Sequence, residues 1–251
     1  MKKRQNIINK LYSLIFLIIL VLIWQALLTF KIVDSFLLPS PTAVILALIK
    51  DIKLLLAYSV YTITEGFLGL FISIAASFLL AIFMERYSIL HKAIYPTLII
   101  SQTVPVVAIA PLLVLWLGYG MLPKIALVAI TCFFPLTVGI FDGLRSADTD
   151  MLDLLKAMGA DKNQLLWHIK LPYSMTNFFA GLKIAVSYSI VGAVISEWIG
   201  GTVGLGVYMI RVKKSFEFDK MFAVILLIVI ISLILIKITN LIEKKFKITE
   251  R

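Results

Sequence analysis

Charged residues divide this chain into apolar stretches longer than a water-soluble core requires. Residues 11–30 carry no charge, and residues 66–84 lie between Glu65 and Glu85. Residues 93–118 are uncharged and contain Pro96, Pro105 and Pro111; residues 125–141 run from Lys124 to Asp142 with Pro135 inside. A fifth stretch, 178–200, includes Lys183 and Glu197, and a sixth, 221–236, is purely apolar apart from one serine. A bilayer core ~30 Å thick is crossed by about 20 apolar residues of helix. The pattern therefore predicts an all-α integral membrane protein with six transmembrane helices, the third and fourth interrupted by proline.

Composition agrees. Of 251 residues, 61% are hydrophobic and 15% charged, and the mean hydropathy is +1.02. Disordered chains lack this apolar mass. The single cysteine, Cys132, excludes a disulfide framework or a Cys-based metal site. His91 and His168 show no HExxH spacing, so metal chemistry is not expected. The net charge of +10 sits beside the apolar stretches, as the positive-inside rule produces, and no nucleic-acid module accompanies it. Residues 1–10 read as a cytoplasmic N-terminus. No small-x-small cleavage site follows residues 11–30, which read as a retained first span. Basic residues concentrate at Lys2, Lys3, Arg4, Lys10, Arg86, Lys92, Arg145, Lys156, Lys162, Lys170 and from Lys237 onward. That distribution places both termini in the cytoplasm of a multi-pass cell-membrane protein, with residues 243–251 as the tail.

Residues 142–177 are the longest hydrophilic connection, yet their part from 142 to 172 is not uniformly polar. Asp150 is placed to cap a short helix, with Asp153 at its third position. Met151, Leu152, Leu154, Leu155 and Met158 make that helix apolar. Gly159 supplies a left-handed terminator. Asp161 opens a second helix with Gln164 three places on, Leu165, Leu166 and Ile169 follow at helical spacing, and Pro172 is expected to stop it. Such an elbow either packs back on the membrane helices or presents a docking knob, for which methionines suit a repacking surface.

The order Asp153-Leu154-Leu155, three residues, Gly159, nine residues, Ile169, one residue, Leu171-Pro172 resembles the EAA motif of permease subunits of binding-protein-dependent ABC importers. That motif reads Glu-Ala-Ala, three residues, Gly, nine residues, Ile, one residue, Leu-Pro. Here aspartate and two leucines replace Glu-Ala-Ala, while every spacing and the Ala157-Met158-Gly159-Ala160 core are kept. Leu38-Pro39-Ser40-Pro41-Thr42, Leu115-Trp116-Leu117-Gly118, Gly181-Leu182-Lys183-Ile184-Ala185 and Gly204-Leu205-Gly206 extend the likeness. They are similar to the permeases for nitrate, sulfonate, taurine and thiamine precursors. The resemblance implies a type I, MetI-like importer fold with a cytoplasmic coupling helix pair in 142–172, and a transmembrane domain over residues 55–242.

It further implies that Asp153, Leu154, Leu155, Met158, Gly159, Ala160, Asp161, Ile169, Leu171 and Pro172 couple the spans to a cytoplasmic ABC ATPase dimer. A second permease chain, as a homodimer, and an extracytoplasmic substrate-binding protein would complete the assembly. ATP and magnesium would belong to the ATPase. This chain has no Gly-Lys dipeptide, hence no Walker A loop, and is expected to bind no cofactor and catalyse no reaction. The stretch from Gly204 to Arg211 and Phe216 to Phe222 looks more like permeases for thiamine precursors of the hydroxymethylpyrimidine type than like those for sulfonate, taurine or nitrate.

Other residues admit two readings. Ser101, Gln102 and Thr103, with the donor-free Pro105, either line a translocation path or bond neighbouring helices. Glu197 either snorkels to the interface or faces such a path. Arg211, Lys213, Lys214 and Lys220 fall in an outer loop, where they either face lipid headgroups or dock the binding protein. The glycines from 200 to 206 read as a turn. An ion-coupled secondary transporter would need broken inverted repeats or more buried acids, and a membrane enzyme or scaffold would need a polar catalytic cluster or no path. Neither pattern is present.

Overall fold

The computed structural model describes residues 2–249, with side chains for residues 11, 12 and 15–246. The basic side chains expected to hold the termini in the cytoplasm, Lys2, Lys3, Arg4, Lys10, Lys247 and Arg251, lie outside those described. The elements in order are α1 (Lys2–Thr29), α2 (Pro41–Arg86), α3 (Ser88–Ser101), α4 (Val106–Leu117), α5 (Met121–Arg145) and α6 (Thr149–Ala157). There follow α7 (Lys162–Leu165), a π-turn (Leu166–Lys170), α8 (Leu171–Gly200), α9 (Leu205–Lys214) and α10 (Phe218–Thr249). No strand occurs among the described residues.

Four segments are long and apolar enough to cross a membrane: Pro41–Arg86, Met121–Arg145, Lys162–Gly200 and Phe218–Phe246. The chain is a multi-pass membrane protein, with four such spans, or five if a bent pair counts as one, among the described residues against the six expected from the sequence. The described apolar part of α1, Ile15–Thr29, falls below 18 residues. The third expected span is split into α3 and α4, bent by 102° at the break, and counts as a fifth crossing only if the two halves are taken together. Pro105 causes the break. It lacks an N–H, and it disfavours helix at Val104 before it, so the chain turns sharply where a kink was expected. Pro96 and Pro111 remain inside α3 and α4.

The chain forms two compact units, one of residues up to Leu56 with Met209–Leu227, the other of Ala57–Tyr208 with residues from Ile228. In the first, Ser40 caps α2 by accepting from the Ala43 amide at 3.2 Å, and Pro41 supplies a pre-set φ at the helix start. Val44, Ala47 and Ala223 form its core, with Trp24 and Phe222 packed on them, and the Trp24 indole donates to the Pro39 carbonyl at 3.1 Å. Phe36 stacks on Phe216 and meets Phe218 edge-on.

The second unit is built on α5 against α8. Leu70, Val128, Cys132, Leu136, Ala185 and Ala193 form its centre. Between membrane helices small residues allow close approach, and hydroxyls supply hydrogen bonds. Gly143 sits against Ser174, and Gly181 against the Pro135 carbonyl. Thr137 donates to Ser77 at 3.0 Å, and Ser77 to the Phe133 carbonyl at 3.1 Å.

Candidate functional site

The elbow after α5 has the helix–glycine–helix form read from its sequence, with two differences. The cap of α6 is Asp148, whose carboxylate accepts from the Asp150 amide at 2.9 Å. The helix therefore begins earlier than a cap at Asp150 would allow. Gly159 takes φ +89°. Its amide bonds the Lys156 carbonyl at 3.0 Å and the Ala160 amide bonds the Leu155 carbonyl at 2.9 Å, the Schellman closure of a helix C-terminus. Asp161 and Gln164 make the reciprocal capping box, at 2.7 and 2.8 Å.

Pro172 does not stop the second helix. The chain widens into the π-turn and continues directly into α8. A proline is tolerated where its missing N–H falls at a helix start, and the wider π-turn supplies that start at Leu171.

Burial divides the elbow into an anchored half and an open half. Leu165 and Ile169 are buried, and Leu166 and Leu171 pack against a cluster that includes Met84, Ile140, Phe141 and Leu144. Lys170 pairs with Glu85, and Arg86 donates to the Asn163 side chain at 3.3 Å. In contrast, Met151, Leu154 and Met158 are 47, 62 and 74% exposed. They are spaced to share one face of α6 and its C-cap residue Met158, on a nine-residue helix too short to span a bilayer that is capped by Asp148 and itself carries Asp150, Asp153 and Lys156. Leu155 and Ala160 are half-buried, and Asp153, Asp161 and Pro172 are exposed.

A cavity of about 600 Å³ opens beside the α3–α4 break and is lined also by α2, α5 and α8. Its polar groups are Ser73, Ser101, Gln102, Thr131 and Tyr188, and no lining residue is charged. Of the four residues read as a possible path, Ser101 and Gln102 line this cavity, while Thr103 and Pro105 are exposed and outside the lining.

Glu197 lies buried near the end of α8. It is 1% exposed, accepts from Thr62 Oγ1 at 2.6 Å and from the Gly206 amide at 2.5 Å, and does not line the cavity. Thr62 also accepts from the Leu205 amide at 3.0 Å. Glu197 and Thr62 together satisfy the first amides of α9, where a helix N-terminus favours negative charge. Gly204 makes room for this, with φ +133° and its Cα against the carboxylate. The glycine-rich turn and Glu197 are one structural unit.

Buried beside it, Lys124 Nζ lies 2.6 Å from Glu65 Oε1. In the sequence both residues stand as span boundaries, because charges usually end apolar runs. Their pairing across 59 positions leaves no local signal. Lys183 similarly pairs with Glu243 at 2.6 Å.

Among the outer basic residues, Arg211, Lys213 and Lys214 are exposed on α9. Lys220 is not open to a partner in the expected way: it pairs with Glu217 at 2.6 Å and approaches Asp51 at 3.9 Å. A single acidic residue three positions before it, Glu217, is enough to take it. No group of three or more His, Cys, Asp or Glu able to hold a metal occurs among the described residues.

Comparison with known proteins gives a consistent picture. Residues 69–248 match the family described as binding-protein-dependent transport system inner membrane component. Over 228 residues, 91% of this chain and 93% of the relative, the sequence is 38% identical to a probable ABC transporter permease protein of Haemophilus influenzae. It is 34% identical over 221 residues, 88% of each chain, to the formylaminopyrimidine transport permease protein ThiX of Halalkalibacterium halodurans. Among solved structures, an inward-facing conformation of the MetNI methionine ABC transporter is similar in fold. Its TM-score is 0.70 at 15% identity, covering 78% of this chain and 98% of that one.

Proposed function

This chain belongs to the family of binding-protein-dependent transport system inner membrane components, an ABC importer permease, and we propose that its elbow is the grip through which an ATPase drives it. The observation that carries this reading is the exposed Met151–Leu154–Met158 face of α6. An apolar face on a short helix between charged residues is a surface for a protein partner. The capping box and Schellman turn hold its shape, and Leu165 and Ile169 root it in the membrane helices. A movement of the partner is then delivered to α8 through the continuous π-turn. Coupling requires that ATP favour one of two arrangements over the other.

The partner is a cytoplasmic ABC ATPase dimer, which holds ATP and magnesium. This chain itself binds no cofactor and catalyses no reaction. Two copies of the permease form the path across the cell membrane, with both termini in the cytoplasm, and an extracytoplasmic binding protein docks near Arg211, Lys213 and Lys214. The solute is a small pyrimidine of the thiamine-precursor type, supported by the identity with the formylaminopyrimidine permease.

The test is co-purification from the native membrane followed by uptake into vesicles. The wild-type chain should bring down an ATPase, and Met158→Asp should reduce its recovery at least tenfold, because it buries a charge without a partner. Equal recovery with wild type and M158D would remove the elbow from the coupling role.

A further inference from the structure

The cavity beside the α3–α4 break has a chemistry of its own. In a bilayer, irregular backbone is tolerated only where it is buried in protein or lines a cavity, and the break at residues 102–105 lies beside this one. There the carbonyls that end α3 are taken by turn amides: Ile99 accepts from Gln102, Ile100 from Thr103 and Ser101 from Val104, at 3.2, 3.0 and 3.3 Å. A half-helix N-terminus alone draws anions. Here the Ala108 amide is already bonded to the Pro105 carbonyl at 2.9 Å, and the polar groups of the lining are side chains.

Ser73 supplies a second, independent sign of a ligand. It is 1% exposed, yet its hydroxyl has no hydrogen-bond partner and it lies in the cavity lining. Buried polar groups are normally satisfied, and a serine can donate to or accept from an occupant. By contrast, Ser101 and Thr131 bond the carbonyls of their own helices, Leu98 and Leu127, at 2.7 Å. Gln102 adds an amide with both donor and acceptor character. Phe133, Phe134 and Tyr188 put three aromatic residues in the lining.

Resting on the permease reading above, we propose that this cavity recognises the solute, and that the solute is a neutral, flat heteroaromatic molecule with donors and acceptors on its edge, such as an aminopyrimidine. Aromatic walls suit stacking on a planar ring, and the volume of about 600 Å³ falls within the range of small-molecule sites. An alkyl sulfonate or nitrate would bring a full negative charge to a lining without a single cation, an arrangement that membrane sites avoid. Ser73, Gln102 and Tyr188 set the preference.

The test uses a photoreactive azido-aminopyrimidine and the full chain in membrane vesicles, so it needs neither ATP nor a partner. Adducts should map to the break around Gln102 and to α8 around Tyr188. Unlabelled formylaminopyrimidine should compete and ethanesulfonate should not. Ser73→Ala and Tyr188→Leu should each weaken half-maximal labelling by roughly three- to tenfold, the worth of one neutral contact. Adducts confined to other segments, equal competition by ethanesulfonate, or unchanged labelling in S73A would each overturn the proposal. The permease reading fails separately, if no ATPase is recovered with the chain.

Discussion

Glu65 and Glu197 are both buried carboxylates, but they are satisfied by different means. Glu197 accepts from a hydroxyl and a helix-start amide, whereas Glu65 depends on the Lys124 ammonium, and its Oε2 has no partner. Removing one member of a buried ion pair strands the other charge, at a cost of about 3–5 kcal/mol. Replacing both by apolar side chains of similar size removes the stranded charge as well. Lys124→Met should therefore lower the thermal unfolding midpoint in detergent markedly, and the double variant with Glu65→Leu should regain most of the loss. A double variant no more stable than K124M would show that the pair is not acting through charge. None of this is legible locally: a charge ending an apolar run looks the same whether it faces water or a partner on another helix.

At the scale of elements, the elbow was the most legible part of the chain, because its signals are local. An Asp three residues before a Gln, and a glycine after an apolar run, specify their hydrogen bonds without help from distant residues. Gly159 makes this testable. A Cβ there would meet nothing of this chain within 4 Å, so inside the chain the effect of substitution comes from φ +89°. Valine resists that conformation at about 1–3 kcal/mol, while asparagine adopts it more readily. Gly159→Val should abolish most ATP-driven uptake, and Gly159→Asn should retain it. Equal uptake by the two variants would exclude the turn's geometry as the cause. The α3–α4 break was less legible. Its prolines were visible, but whether a proline bends a helix or ends it depends on what the freed carbonyls can find nearby.

For the whole molecule, the net charge of +10 and the exposed Arg211, Lys213 and Lys214 on α9 favour steered association with an acidic partner. Such steering falls steeply with ionic strength. The association rate of the binding protein with vesicles carrying the complex should fall several-fold between about 50 and 500 mM salt. Replacing Arg211, Lys213 and Lys214 with glutamine should remove that dependence. A salt-independent rate in the unaltered protein would assign these residues to the lipid headgroups instead. Lys220 is left out because Glu217 already holds it.

The sequence by itself determined the all-helical membrane architecture, the position and shape of the elbow, and the family resemblance. Each depends on residues close together along the chain: apolar runs longer than a soluble helix needs, caps three residues apart, and a glycine at a fixed offset. Only the tertiary structure decided which charges pair, that Glu197 holds the first amides of α9, and that Ser73 reaches an uncharged cavity. Those outcomes join residues on separate helices, where burial makes the choice of partner costly and the linear pattern carries no record of it.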